Sequence, residues 1–192
     1  LTICARDNQS YGILNRHFSN NILLLPDMAF CIDDADLTSA GKPDPGRTLW
    51  LFRDDKELSG QKHDGLIPAG AEKHDWPAFE HISLKAKIMK ALLRELRWLR
   101  RINAPALLVN CACSVTDRYV RGVFEKHILR QGTRFVGRYQ YVYTTRLHTG
   151  ILAVLLQRDC CFIDNSYGKN SAFYTTWLQG TQNISLLTQT ET

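Results

Sequence analysis

The segment from Tyr143 to Gly150 places residue types that bind anions beside one that transfers protons. A strand is predicted to end there and a helix to begin, with Thr144 and Thr145 as capping residues. The unpaired N–H groups and positive dipole end of such a helix favour an anion, and Arg146 offers a bidentate grip on a carboxylate or phosphate. A histidine at this position, His148, could donate a proton near neutral pH. The alternative is an ordinary capped helix with partly exposed Arg146 and His148.

A second polar segment, Asp164 to Asn170, also follows a predicted strand and precedes a helix. Its candidate ligand-binding residues are Asn165, Ser166 and Lys169. Turns also favour Asp, Asn, Ser and Gly, so a polar connection with Lys169 in solvent is the alternative. In an open parallel sheet, ligands bind beyond the carboxyl ends of the strands. Two such loops on successive strands are therefore expected to open into one crevice.

Other residue patterns support weaker hypotheses. The pairs His63-Asp64 and His74-Asp75 resemble part of a metal phosphohydrolase site, but they lie in a segment broken by Gly and Pro, and no metal site is predicted. Neither a G-x-S-x-G nucleophile motif nor a Walker phosphate loop occurs. The six cysteines lack C-x-x-C spacing and are expected to be small buried hydrophobic residues in a reducing compartment.

Composition and charge describe an ordinary globular chain. Its 192 residues are 44% apolar and 22% charged, which excludes a disordered or fibrous protein. Apolar runs fall far short of the roughly 20 residues that cross a bilayer. The net charge of +5 arises between Lys85 and Arg101. Anionic lipid and RNA are conceivable partners for that segment, but it lacks stacking aromatics apart from Trp98, so a solvated helix face is expected and no nucleic-acid partner.

The elements that must position the two polar segments alternate between strands and helices. Strands are predicted at 1–5, 21–25, 48–53, 106–111, 135–143 and 160–164. Helices are predicted at 8–17, 83–102, 116–129, 147–156 and 171–178. The third of these, at 116–129, is expected to end near Gly132. This order favours an α/β fold with a Rossmann-like parallel sheet covered on both faces.

The remaining segments are predicted to be irregular. Residues 37–47 hold the densest cluster of Gly and Pro and are a candidate domain boundary. Residues 54–77 read as a long loop, and 181–192 as a polar tail with little to bury.

Several runs resemble the polysaccharide pyruvyl transferase family. TTRLHTGILAVLL at 144–156 and FIDNSYGKNSAFYTTWL at 162–178 are similar to the family's carboxyl-terminal signature. ARDNQSYGIL at 5–14 and LLPDMAF at 24–30 are similar to its middle region, and the similarity is weakest between 34 and 80. Family members are similar in fold to the two-domain glycosyltransferase-B enzymes, in which two Rossmann-like halves face a cleft. The resemblance implies that this chain is the second half of such a fold.

The same resemblance implies a division of the chain. Residues 1–40 would be a remnant of the amino-terminal Rossmann-like half and the crossover, 41–180 the carboxyl-terminal donor domain, and 181–192 the tail. Most of the family's amino-terminal half has no counterpart before Leu1. The expectation is that these residues alone hold a donor site without a complete active site.

The resemblance also implies a reaction. Such enzymes transfer the pyruvyl group of phosphoenolpyruvate to a sugar of a surface polysaccharide or its precursor, forming a pyruvate ketal and releasing phosphate. Arg6, Arg146 and Lys169 are the cations expected to hold the donor's carboxylate and phosphate. Arg146 and His148 are the candidate catalytic residues, and His148 either protonates the methylene carbon or assists the departing phosphate. Phosphoenolpyruvate is the donor substrate, and no cofactor is expected.

Two other functions are kept as alternatives: a glycosyltransferase that uses a nucleotide sugar, and a non-catalytic binding fragment. A nucleotide sugar would need contacts to a base and a ribose, whereas these motifs supply mainly residues that bind carboxylate or phosphate groups. Under the pyruvyl transferase hypothesis the acceptor is a saccharide or a lipid-linked oligosaccharide. The expected location is cytoplasmic, with peripheral contact to the inner face of the membrane as a further option.

Overall fold

A computed structural model describes residues 1–52, 68–76, 83–164 and 168–187. Its strands are β1 (Thr2–Ala5), β2 (Asn21–Leu24), β3 (Asp44–Leu51), β4 (Glu72–His74), β5 (Tyr139–Thr144), β6 (Asp159–Ile163) and β7 (Ile184–Leu187). Its helices are α1 (Asn8–His17), α2 (Asp34–Leu37), α3 (Leu84–Arg101), α4 (Ala106–Tyr119), α5 (Glu125–Gly137), α6 (Leu147–Leu155) and α7 (Lys169–Phe173). Short 3₁₀ turns cover Met28–Cys31 and Thr38–Ala40, and π-helical turns cover Val120–Phe124 and Tyr174–Leu178.

The strands form two sheets in which every pairing between described strands is parallel. One sheet has the order β1-β2 and the other the order β4-β3-β5-β6-β7. The predicted α/β fold with a parallel sheet is confirmed. The small sheet precedes residue 40 and the large sheet follows it. The division at that residue and the glycosyltransferase-B arrangement stay predictions.

Packing divides the chain into two compact units. Residues 1–76 and 134–192 form the first, which contains both sheets, α1, α6 and α7. Residues 77–133 form the second, which we call the helical unit because its described part consists of α3, α4 and most of α5. The sequence patterns did not separate this unit from the donor domain predicted at 41–180.

Helix α6 packs against β5, β6 and the Met28–Cys31 turn. Its interior face is apolar and closely packed, with Ile151 and Ala153 fully buried. A Cβ on Gly150 would lie 2.2 Å from Cε1 of Phe162, so only glycine lets the helix approach β6 this closely. The helix is therefore fixed between the large sheet and the segment that follows β2.

A polar network fastens the short edge strand β4 to the sheet. The Arg47 guanidinium binds both carboxylate oxygens of Glu72, and Tyr139 donates a hydrogen bond of 2.9 Å to the same carboxylate. The hydrogen bond from Arg47 lowers the pKa of Glu72 to about 2. Desolvation opposes this shift, and the hydrogen bond from Tyr139 adds to it. Burial and the neighbouring Glu72 raise the pKa of Tyr139.

The strand predicted at 106–111 is wrong: these residues begin α4. A short apolar run suits a buried strand and a helix equally, and the length of the regular segment decides between them. Here the helix continues to Tyr119, beyond the apolar run, and packs against α3. Leu107 and Leu108 are exposed, not buried in a sheet.

Other boundaries also differ from the predictions. The helix predicted to end near Gly132 continues to Gly137, so β5 begins at Tyr139. The predicted loop at 54–77 contains β4, and the predicted polar tail contains β7. Both are short edge strands, and each pairs with one inner strand, β4 with β3 and β7 with β6. Their partners therefore decide their structure more than their own sequence pattern does.

The prediction of buried cysteines holds for one of the six. Cys160 is buried, which raises the pKa of its thiol, whereas Cys4, Cys31 and Cys111 are exposed. Cys4 and Cys31 lie in the small sheet and the turn after it, and Cys111 lies on an outer face of α4. In the described part of the chain, no helix is long and apolar enough to cross a membrane.

Candidate functional site

An ionic cluster joins residues that follow strands of both sheets. Arg6 comes directly after β1, and Asp27 comes three residues after β2. An Asp27 carboxylate oxygen lies 3.4 Å from an Arg6 guanidinium nitrogen and 3.4 Å from Nε2 of His148 in α6. Because ligands of parallel sheets bind beyond the carboxyl ends of the strands, this cluster lies where a ligand is expected.

Asp27 is the buried member of the cluster. Its side chain is 12% exposed, against 72% for the side chain of His148. Desolvation alone would raise the pKa of Asp27, but the hydrogen bond from the Ala29 N–H and the charges of His148 and Arg6 outweigh it. The pKa of Asp27 is therefore lowered, and an ionised carboxylate holds the imidazole and the guanidinium in place while leaving the imidazole open to solvent.

The turn between β5 and α6 positions Arg146. The Thr144 hydroxyl accepts a hydrogen bond of 3.0 Å from the Arg146 N–H, which closes the turn. The prediction that Thr144 and Thr145 cap α6 is wrong, because Arg146 is the N-cap residue and no side chain caps the helix there. The Arg146 guanidinium donates to Asp75, the residue after β4. An acid from one strand end thus orients a cation from another, and the two lie at the same edge of the sheet.

Three buried polar atoms near this edge have no hydrogen-bond partner among the described residues. They are Oγ1 of Thr145, Nε of Arg146 and Oδ1 of Asn170. Buried polar atoms are nearly always paired with protein, water or ligand. A hydroxyl, a donor and an acceptor left over in one region are what a polar ligand or bound water would satisfy.

Asn170 ties the two predicted loops together. Its side-chain amide donates to the carbonyls of Thr145 at 2.9 Å and Ile163 at 2.8 Å. Asp164 accepts hydrogen bonds from the backbone of Asn170 and Ser171, which holds the start of α7 against the end of β6. The loops after β5 and β6 are thereby neighbours, as two loops sharing one crevice must be.

The predicted site residues fall into three groups. Arg6, Arg146 and His148 lie at strand ends or the first turn of α6, with Arg6 and His148 joined through Asp27. Lys169 is the first residue of α7 and its side chain is exposed. Asn165, Ser166 and the pair His63-Asp64 lie outside the described residues. Among the residues that are described, no three His, Cys, Asp or Glu side chains are grouped as metal ligands would be.

Sequence reasoning missed three residues of this region: Asp27, Asp75 and Asn170. Asp27 stands two residues beyond Leu25 in LLPDMAF, so the rule that places ligands after parallel strands could have found it. The sequence suggests Asp75 only as part of the His74-Asp75 pair, because the pattern around it predicts a loop and not the strand β4. Asn170 had only a turn-like signal, and its role comes from carbonyls distant in sequence.

Parallel strands with cations and a histidine at their carboxyl ends form a candidate anion-binding site in an α/β fold. A sequence profile of the polysaccharide pyruvyl transferase family matches residues 1–167. The chain belongs to this family, as the motifs at 144–156 and 162–178 predicted.

Individual relatives are longer than this chain. It is 32% identical over 190 residues to "Putative pyruvyl transferase EpsO" of Bacillus subtilis (strain 168), covering 97% of this chain and 53% of that protein. It is 26% identical over 181 residues to "General stress protein 30" of the same organism, covering 93% of this chain and 43% of the relative. The chain spans about half the length of the curated relatives it matches.

A solved structure shares the fold. The protein KP1_0663 from Klebsiella pneumoniae subsp. pneumoniae NTUH-K2044 matches with a TM-score of 0.56 and 20% sequence identity. The match covers 97% of this chain and 54% of that one. At this identity the likeness concerns the fold alone.

Proposed function

We propose that the protein carrying this chain transfers a pyruvyl group from phosphoenolpyruvate to a sugar of a surface polysaccharide or its precursor, forming a pyruvate ketal. The observation that supports this most is the Arg6–Asp27–His148 cluster, together with Arg146 two positions before His148 at the start of α6. It combines two guanidinium groups with an exposed imidazole at the carboxyl ends of parallel strands. Family membership and the printed name of the EpsO relative agree with this activity.

The donor fits the charges of the site. Phosphoenolpyruvate carries a carboxylate and a phosphate, and Arg6 and Arg146 are planar donors suited to both groups. Asp27 and Asp75 hold these guanidinium groups in fixed orientations, which lowers the entropy lost when the donor binds. The N–H groups of the first turn of α6 add a positive dipole end.

The chemistry needs a proton at carbon and a stabilised leaving group. An acid protonates the methylene carbon of phosphoenolpyruvate, and the positive charge that develops at C2 is taken up by attack of one sugar hydroxyl, which loses its proton. The C2–O bond to phosphate then breaks and phosphate leaves with its electron pair. A second sugar hydroxyl attacks C2 and loses its proton, which closes the ketal. In this proposal His148 supplies or removes a proton, and Arg6 and Arg146 stabilise the departing phosphate.

The test is phosphate release from phosphoenolpyruvate by the intact protein with galactose-, glucose- and N-acetylmannosamine-containing acceptors. Arg146→Ala and His148→Ala should each lower turnover roughly thirty- to a thousand-fold. This corresponds to a loss of about 2–4 kcal/mol of transition-state stabilisation. Arg16→Ala and His17→Ala are matched controls, because both residues are exposed on α1, and should keep full activity.

Two outcomes would contradict the proposal. Near-normal turnover in the Arg146 or His148 variant would place the chemistry elsewhere. Transfer of a sugar from a nucleotide sugar, with phosphoenolpyruvate inert, would make the protein a glycosyltransferase.

A further inference from the structure

Helix α3 has an exposed surface that combines basic and apolar residues in two rows. The basic row contains Lys87, Lys90, Arg94, Arg97 and Arg101, and the apolar row contains Leu84, Ile88, Trp98 and Ile102. Every one of these residues is exposed. We call the two rows together the α3 surface.

The two rows run side by side along the helix. Within the basic row the residues are three or four positions apart, so they share one face. The apolar row has the same spacing of three or four positions. Its four apolar residues are at 84, 88, 98 and 102, and Ala91 and Glu95 occupy the two positions between Ile88 and Trp98. Trp98 and Ile102 each follow a basic residue by one position, which is about 100° around the helix, so the rows adjoin.

A face that only met water would not need this apolar row. The packed face of α3 is supplied by other residues, with Ala86 and Leu96 buried. Trp98 nevertheless leaves 54% of its surface in solvent and Leu84 71%. Leu107 and Leu108, in the first turn of α4 shortly after α3 ends, are exposed as well.

The charge of the surface selects its partner. Residues 85–101 contain seven Lys or Arg and one Glu, whereas the whole chain has a net charge of only +5. A helix with a basic row, an apolar row and a tryptophan at their border fits the interface of an anionic bilayer, where apolar side chains enter the headgroup region and Lys and Arg meet lipid phosphates.

We propose that the α3 surface docks the protein on an anionic phospholipid membrane. Trp98, Ile102 and Ile88 insert their side chains into the headgroup region, and the basic row contacts the phosphates. The proposal goes beyond the proposed function and draws on residues outside the candidate site. Its test uses neither phosphoenolpyruvate nor a sugar acceptor, so the two proposals can fail separately.

The experiment is co-sedimentation of the intact protein with vesicles of phosphatidylcholine alone and of phosphatidylcholine mixed with phosphatidylglycerol. Binding should require phosphatidylglycerol and weaken as salt is added, because salt screens exposed charges. The variant Arg94→Gln/Arg97→Gln/Arg101→Gln should bind on the order of a hundred-fold more weakly, since each basic residue near the surface contributes about a factor of five. Trp98→Gln should also weaken binding. With vesicles, the tryptophan fluorescence of the parent should shift to shorter wavelength, and this shift should be lost in Trp98→Gln although three other tryptophans remain.

A matched variant separates this surface from net charge. Arg118→Gln/Arg121→Gln/Lys126→Gln removes the same charge from exposed residues of the same helical unit outside the α3 surface. It should keep most of the binding. Circular dichroism of each variant should show an unchanged melting temperature, since all six residues are exposed.

Three results would overturn the proposal. The first is no binding to anionic vesicles, and the second is equal loss of binding in the two triple variants. The third is a stable dimer in sedimentation that Trp98→Gln dissociates while lipid binding is absent, which would make the α3 surface an interface between two copies of the chain.

Discussion

At the scale of single residues, Asp27 contacts two candidate site residues at once. It is ionised, largely buried, and in contact with both Arg6 and His148. An anionic donor that binds Arg6 and His148 must do so from the side that Asp27 leaves open. Asp27 is therefore a positioning residue, and the orientation of the imidazole and the guanidinium depends on it.

Asp27→Asn should lower kcat/KM for phosphoenolpyruvate about five- to thirty-fold. Charge-assisted hydrogen bonds contribute roughly 1.5–3 kcal/mol, and the exposure of His148 and Arg6 reduces this to about 1–2 kcal/mol. Steady-state kinetics that separate KM from kcat measure the effect, and the melting temperature of each variant reports its stability. Asp34→Asn, at an exposed acid of α2, is the control. An unchanged kcat/KM with a lowered melting temperature would leave Asp27 a purely structural role.

Lys169→Ala should weaken binding of phosphoenolpyruvate more than binding of the acceptor. Lys169 is the first residue of α7 and precedes Asn170, whose side chain joins the segments after β5 and β6. Because its charge is exposed and screened by solvent, its loss should weaken phosphoenolpyruvate binding by about three- to tenfold. Calorimetric titration of each ligand separately measures this. Lys169→Arg should retain donor binding, and equal loss of both affinities in Lys169→Ala would count against the assignment.

At the scale of elements, α6 and β4 carry the site. α6 is held between β6 and the turn after β2, which is why His148 meets Asp27. β4 is a three-residue edge strand, and its fixed end supplies Asp75 to Arg146. The positions of these two elements can be tested through stability.

Gly150→Ala should destabilise the fold by about 1–3 kcal/mol, because its new Cβ overlaps the ring of Phe162. Gly12→Ala is the matched control: it changes a helical glycine with no atom within 4 Å of the added Cβ, and it should stabilise α1 by up to about 1 kcal/mol. Urea unfolding of both variants compares them. Equal stabilities would mean that α6 does not approach β6 as closely as described.

Glu72→Gln should remove part of the acid sensitivity of the protein. Because the pKa of Glu72 is lowered from 4.5 to about 2 in the folded state, its ionised form favours folding above pH about 4.5, and this contribution is lost as the pH falls towards about 2. The variant should melt at a lower temperature than the parent at neutral pH, and the difference should shrink through that window. Glu95→Gln, in an exposed ion pair with Arg94, should change little at any pH. A constant difference between parent and Glu72→Gln down to pH about 2 would contradict the assignment.

At the scale of the whole molecule, two parallel sheets contribute strand ends to one region. Arg6 and Asp27 follow strands of the small sheet, whereas Arg146 and His148 follow a strand of the large one. The helical unit at 77–133 has a different character, with basic and apolar residues exposed along α3. The candidate anion site and the proposed lipid contact thus lie in separate units of the chain.

The sequence by itself determined the parallel α/β class and the family, and it predicted Arg6, Arg146 and Lys169 as cationic site residues. Continuous apolar strands, the amphipathic period of α3 and the apolar run of α6 are local signals, and the motifs around Arg146 and His148 are contiguous in the chain. Such signals survive without knowledge of neighbours, because periodicity and cap chemistry depend on residues a few positions apart.

Only the tertiary structure decided which residues meet. Asp27 reaches His148 across 121 positions, and Asp75 reaches Arg146 across 71, at strand ends that sequence order does not bring together. β4 and β7 are strands because β3 and β6 offer edges to pair with, and residues 106–111 are helical because they extend into α4 and pack on α3. Short segments take their conformation from partners distant in the chain, and that information is absent from their own pattern.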